Sequence, residues 1–432
     1  MTTSEDFAVE SALQKSKRTL TAREYIANYF QRVRSGDLGS LPIIVGLIII
    51  AIIFQSANSN FLTPRNLVNL FVQMSIFTVI GYGIVFVLLL GEIDLSVGYV
   101  AGVSAVVTGQ LLARPILIPA ELQGLADLLN GGSLTYEVPW FLAVACSLGV
   151  ATLIGLLQGG LITLFQLPSF IVTVGGQLAW NGVVLLLMGG AGTVNMRNPT
   201  IRGITQSFFP AEWGYALGAI VVSVYLLFEA YQYRSRSRAG LSVKPVSIIA
   251  LQGLVLGIMV FAFIYICNQD RGLPFVGVLV LVLMAVLTYL TTQTKFGRYL
   301  FAVGGNREAA RRAGISVERI RLMGFVMCSL LAGMGGLILV SRLGSVAPDA
   351  GGGQLLLNSL AAPVIGGTSL YGGSGRISSA FFGALVIAAV DNGMFLLGLG
   401  AGQRLILTAI VLIAAVIVDA LSRRTRERSG IR

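Results

Sequence analysis

The sequence predicts an all-α fold, a polytopic transmembrane helical bundle of about 10 to 12 crossings, and three observations carry that reading. Of 432 residues, 55% are hydrophobic and only 11% charged, which does not suit a water-soluble chain that would divide into roughly two or three domains. Apolar runs of the roughly 20 residues that a helix needs to cross a bilayer recur from Leu41 almost to the C-terminus. Val278 to Leu290 is apolar almost throughout, whereas a transmembrane strand would alternate apolar and polar side chains.

Residues 1–40 contain no apolar core of the kind a cleavable signal peptide needs, so this tail is expected to be retained. Thr21 and Glu24 fit a capping box. Ile26, Tyr29, Phe30 and Val33 would then share one face of an amphipathic interfacial helix beside Arg23, Arg32 and Arg34. A solvated lead-in fits the same residues. Apolar spans follow near residues 41–56, 69–90, 95–113, 139–165, 171–189, 213–231, 247–267, 275–292, 321–341, 377–398 and 403–421. The stretch from Gln354 to Leu370 is apolar but broken by Pro363, Gly366 and Gly367, the pattern of a discontinuous or re-entrant helix buried inside protein. Residues 41–421 are therefore read as one transmembrane domain and 422–432 as a basic tail.

Positive charge orients the bundle. Segments 1–40, 232–246, 293–322 and 422–432 hold 22 of the 30 Lys and Arg, and the positive-inside rule places all four in the cytoplasm. Both termini inside requires an even number of crossings, so either the broken stretch makes a twelfth or one weak span does not cross, which leaves about ten or twelve. The net charge of +11 then reports topology rather than nucleic-acid binding. The 53 glycines include small-x-x-x-small pairs such as Gly98 with Gly102 and Gly155 with Gly159, which suit close helix packing.

Composition also removes chemistries. Histidine is absent, which excludes Ser-His-Asp triads and His-based zinc sites. Cys146, Cys267 and Cys328 lie in or beside apolar runs without metal-ligand spacing and read as small hydrophobes. None of the four lysines, Lys15, Lys17, Lys244 and Lys295, follows a glycine, so a Walker A motif is absent and any ATP is hydrolysed by another chain.

Four features exceed what a generic bundle requires. Gly91-Glu92-Ile93-Asp94-Leu95-Ser96-Val97-Gly98 sets two carboxylates between two spans. They are either solvated loop residues or helix caps, or groups that meet an Arg or backbone donors inside the bundle. In the segment of about 293–320, Asn306 suits an N-cap, Glu308 the first turn and Gly314 the C′ position. The helix they delimit is too short to stand alone, so either a cytoplasmic partner or the membrane domain holds it. Val364 to Arg376 is dense in glycine and suits a helix break lining a pathway. Asp391-Asn392-Gly393 lies within a span, where it either bonds to neighbouring helices or lines a route. The Gly91 to Gly98 and Gly366 to Gly375 junctions each end an apolar run and precede a span rich in small residues, as in a two-fold internal repeat.

At these residues the chain resembles the monosaccharide permeases of bacterial binding-protein-dependent importers, the ribose, xylose and galactose group related to branched-chain amino acid permeases. The similarity runs from about Asn66 to Asp419. The element at 91–98 resembles the sugar branch. Gly304-Gly305-Asn306 with Glu308-Ala309-Ala310 and Gly314-Ile315 is similar to that family's coupling loop, and Ile365-Gly366-Gly367-Thr368-Ser369-Leu370 to another of its elements. Within the branch, Pro168 to Thr173 after a long insert, Asp270 to Pro274, and Asp391-Asn392-Gly393-Met394 most resemble xylose permeases. The first forty residues and the loop from Arg114 to Val138 depart from the pattern.

The resemblance implies a non-enzymatic permease subunit, multi-pass in the bacterial inner membrane, for D-xylose or a related monosaccharide. Its implied partners are a cytoplasmic ATP-binding subunit, a periplasmic sugar-binding protein and a second permease copy; nucleic acid is not among them. ATP and Mg belong to the ATP-binding subunit, and no cofactor or metal to this chain. Because the binding protein supplies selectivity, the permease needs only a weakly binding route. The candidates for that route are Asp94, Ser96, Thr368, Ser369, Tyr371, Asp391 and Asn392. The candidates for coupling are Gly304, Gly305, Asn306, Glu308, Ala309, Ala310 and Gly314. Two alternatives stand beside this reading: a branched-chain amino acid permease, and an ion-coupled transporter using Glu92, Asp94, Asp391 and Asp419. The second leaves the basic, capped loop unexplained.

Overall fold

A computed structural model describes residues 41–114, 116–117, 135–241, 243–410, 413 and 417. The expected N-terminal amphipathic helix, most of the Arg114–Val138 loop, most of the last span beyond residue 410 and the basic tail lie outside the described residues. The chain falls into two compact units, the larger formed by Ser40–Ser207 with Pro274–Ala420.

In the larger unit, α1 (Leu41–Ala57) leads into α2 (Pro64–Leu89), which Pro64 starts at a position where its missing N–H costs nothing. The α2 sequence is apolar on every face, which suits a helix surrounded by protein. Its most apolar stretch is 89% buried, against 11% for α5 (Ser169–Met188). Around α2 pack α12 (Val317–Leu343), α13 (Gly353–Ile365), α14 (Ile377–Leu396) and α9 (Phe275–Gln293). The short α3 (Val97–Ala113) sits among α12, α4 (Trp140–Leu164) and α5. Small residues permit this closeness. A Cβ on Gly83 would stand 2.7 Å from the Cys328 carbonyl oxygen, and one on Gly155 2.8 Å from Val326 Cα.

Among the described residues, eight helices are long and apolar enough to cross a membrane, and α1, α3 and α13 are shorter apolar helices. The expected spans are therefore found within a few residues, and 401–410 is helical as well. The expected broken stretch is α13, which carries Pro363 inside its last turn and stops at Gly366. Two elements had no separate expectation. One is α6 (Pro199–Gln206), where the Asn198 side chain accepts from the amides of Thr200 and Ile201. The other is α10 (Lys295–Gly305), capped by Thr294. Near α6, Val194–Asn195 pairs antiparallel with Ser345–Val346.

The first break lies between long α2 and short α3, and the second between short α13 and long α14.

The smaller unit includes α7 (Ala211–Arg238) and α8 (Val246–Asn268). Gly218 lies against Ile264 and Val260, Gly253 lies against Leu226, and Lys244 Nζ meets Glu229 Oε1 at 2.7 Å.

Candidate functional site

The two helix breaks meet each other, and both meet the 293–320 segment. Where α2 ends, its last carbonyls lack partners within the helix. The Leu89 carbonyl is instead satisfied by the Gly373 amide at 2.9 Å, from the second break. Gly91 takes φ +70° against the Tyr371 carbonyl, and Gly372 takes φ +88° beside Gly91 and the Gly304 carbonyl. A side chain on Gly304 would collide with the Leu89 carbonyl oxygen. Three backbones therefore approach closely here, and only glycine leaves room for it.

Glu92 lies inside this junction, 5% exposed. Its Oε1 accepts from Arg307 Nη2 at 2.7 Å and from Arg321 Nη2 at 2.7 Å, and Arg307 also donates to the Leu90 carbonyl at 3.2 Å. Of the two readings of Glu92, the structure bears out the bonded one. Arg321 belongs to the second turn of α12, and Arg307 opens α11 (Arg307–Arg312). One carboxylate thus fastens the first break to two other helices.

Helix α11 has the expected design. Asn306 Oδ1 accepts from the Ala309 amide at 2.9 Å, Glu308 occupies the first turn, and Gly314 takes φ +79°. Only Ala310 is buried, while Gly305, Glu308, Ala309, Arg311 and Arg312 are exposed. Glu308 pairs with Arg312 at 3.2 Å across an open surface. Six residues, held by one alanine, the Arg307 contact and an ion pair from Arg311 to Glu318 of α12 at 2.9 Å, leave the outer face of this helix open to touch something else.

Asp94 is fully buried beyond the junction, and its Oδ1 accepts from the Ser96 amide at 2.9 Å and the Ser96 hydroxyl at 2.6 Å. Gln158 Oε1 lies 3.0 Å from the same hydroxyl. Thr173 reaches the Ile93 carbonyl at 3.3 Å, which ties α5 to the break. In the second break, Thr368 is buried, Ser369 Oγ accepts from the Tyr371 amide at 3.2 Å, and Tyr371 is 73% exposed. Tyr371 contributes its backbone to the junction, and its side chain lies on the surface.

Asp391 and Asn392 are elsewhere. They stand 14 and 15 residues into α14, about 21 Å from its start. Asn392 exchanges hydrogen bonds with Asn66 at 2.8 and 3.0 Å, and Asp391 accepts from Gln73 at 2.9 Å and faces Arg404 at 3.6 Å. The candidate route residues thus divide between two ends of the bundle.

Residues 66–416 match the family described as branched-chain amino acid transport system, permease component. The chain belongs to this permease family. The permease is similar to the xylose transport system permease protein XylH of Haemophilus influenzae, 34% identical, with 91% of this chain and 99% of that one covered. The Escherichia coli K12 protein of that name is 33% identical, with 91% of the permease and 95% of the relative covered. The ribose import permease protein RbsC of Bacillus subtilis is 30% identical, with 89% and 94% covered. No solved structure matches the permease.

Arg307, Arg321, Gln158 and Gln73 complete these clusters without having been singled out from the sequence. For Arg321, Gln158 and Gln73 the available signal was a polar side chain within, or at the mouth of, an apolar run, which must find a partner at membrane depth; Arg307, among other arginines, carried no such signal.

Proposed function

We propose that the permease is the membrane-spanning subunit of an ATP-driven, binding-protein-dependent monosaccharide importer of the bacterial inner membrane, with D-xylose the first candidate substrate. The observation that carries this reading is the Arg307–Glu92 contact at 2.7 Å. It joins an exposed, capped helix directly to the break in the bundle. A partner that grips α11 and moves it shifts Arg307 against Glu92, and Glu92 passes the displacement to Arg321 on α12. An ion-coupled carrier has no use for such a handle.

In this reading the α11 end faces the cytoplasm, together with both termini, because most of the Lys and Arg lie in the segments assigned there. An ATP-binding subunit holds Gly304, Gly305, Asn306, Glu308, Ala309, Ala310 and Gly314 through α11 and its flanks, and itself carries ATP and Mg. A sugar-binding protein delivers substrate at the opposite end, and two permease copies form the assembly. Asp94, Ser96, Thr368, Ser369, Tyr371, Asp391 and Asn392 serve the route. Xylose is favoured because the XylH relatives are 33–34% identical and the RbsC relatives 28–30%.

The test is co-purification of the tagged permease from its own membrane, followed by ATPase assay with its binding protein. Stimulation by xylose-loaded binding protein supports the reading. Stimulation by leucine in its place, or uptake sustained without any ATPase, overturns it.

A further inference from the structure

A seam of polar side chains runs from the first break into the bundle between α4, α5 and α12. It holds Asp94, Gln158, Trp180 and Ser329. Gln158 lies six residues from the end of α4 and Ser329 twelve from the start of α12, about 9 and 18 Å along those helices. In a bilayer core of about 30 Å this is membrane depth.

Polar atoms so placed are normally bonded within the protein. Here Asp94 Oδ2, Gln158 Nε2, Trp180 Nε1 and Ser329 Oγ are buried without a hydrogen-bond partner. The weak thiol donor of Cys328 and the Val97 amide stand beside the Asp94 carboxylate. Gln158 and Trp180 converge: the Gln158 amide and Trp180 Nε1 both border the point where a side chain on Gly176 would begin. Turned over, the Gln158 amide would donate to Ser96 and offer its oxygen at this point, so the position presents either a second donor or an acceptor beside the Trp180 N–H. Ser329 Cβ, 2.9 Å from the corresponding point on Gly155, lies one helical turn from Gln158 along α4.

The chemistry of the seam is specific. Asp94 Oδ2 only accepts, Trp180 Nε1 only donates, and the amide and the serine hydroxyl complete the set. Asp94 is its one ionisable acid, and none of these four side chains is cationic. A ligand that satisfies it must donate to Asp94 and offer acceptors to the indole N–H at neighbouring positions, which is what adjacent hydroxyl groups do. Trp180 is half-buried, while its unpaired indole N–H is buried.

We infer that Asp94, Gln158 and Trp180 form a hydroxyl-binding station for a neutral polyhydroxylated ligand, which, on the importer reading above, is the transported monosaccharide in passage. Gln158 and Trp180 are the specificity-determining members. The station holds sugar by few hydrogen bonds, consistent with a route that must also release it.

The experiment uses the complete complex in proteoliposomes with its binding protein, wild type against Trp180→Phe and Gln158→Leu. Uptake of xylose and of arabinose in competition is read beside ATPase activity stimulated by loaded binding protein. Each variant is expected to lower uptake per ATP by about three- to ten-fold, the range of one lost hydrogen bond. Each is also expected to change the xylose-to-arabinose ratio. With the binding protein unchanged, only the permease can move that ratio. Unchanged uptake and ratio in both variants overturn the station. Loss of uptake and ATPase together at an unchanged ratio also overturns it, because the seam is then structural. A wild-type complex that transports leucine and no sugar refutes the importer reading instead, a separate outcome.

Discussion

Glu92 accepts from both Nε and Nη2 of Arg321, at 2.9 and 2.7 Å, in a setting where both side chains are nearly inaccessible. A buried pair of this kind is costly to split, by about 3–5 kcal/mol, because the survivor is left charged and unpaired. Glu92→Met is therefore expected to lower the melting temperature of the purified permease sharply. Adding Arg321→Met should recover much of the loss, since Arg307 is half exposed and can turn to water. If the double variant melts no higher than the single one, Arg321 is not the partner that matters.

The two neighbouring glycines at the end of α10 should behave differently. A methyl on Gly304 meets the Leu89 carbonyl, while nothing lies within 4 Å of one on Gly305. Gly304→Ala is expected to abolish uptake and reduce the yield of folded protein. Gly305→Ala should remain within about 0.5 kcal/mol of wild type in thermal unfolding, as surface substitutions usually do.

Glu308 is 61% exposed, and its pair with Arg312 lies on the surface. Such pairs contribute about 0–1 kcal/mol, so Glu308→Arg should insert and melt almost as wild type does. Uptake should nonetheless fall if α11 has the proposed coupling role, because the reversed charge lies on its exposed face. Normal uptake by this variant would remove α11 from the coupling role.

At the other end, Asn66 and Asn392 exchange two hydrogen bonds between α2 and α14. Interhelical bonds in membranes average about 0.6 kcal/mol and reach about 1.7. A double-mutant cycle with Asn66→Leu and Asn392→Leu should return a coupling energy in that range. A value near zero would show that the pair is open in the working protein.

Much of this architecture was legible because a bilayer leaves few alternatives. Long apolar runs can only be helices, and Pro363 with Gly366 and Gly367 marked a break that the structure places at the end of α13. The cap residues Asn306, Glu308 and Gly314 identified α11 because capping is a local event between near neighbours. What could not be read was pairing across the chain. Nothing near Glu92 announces Arg307 or Arg321, more than two hundred residues on, and nothing near Tyr371 announces that its carbonyl lies against Gly91. Asp391 and Asn392 looked like companions of Asp94, yet about 21 Å of helix separates them from the breaks. Side-chain chemistry was visible one residue at a time, and geometry decided which residues share a site.

The bond from the Gly373 amide to the Leu89 carbonyl joins the two helix breaks through main-chain atoms alone. Such a joint responds to spacing more than to side-chain identity. Inserting or deleting a single residue between Leu89 and Glu92, or between Tyr371 and Ser374, would rotate the partner atoms out of register. Many replacements nearby would leave the bond intact. In drift or in engineered variants, the permease should therefore hold the length of these two short segments more strictly than their composition.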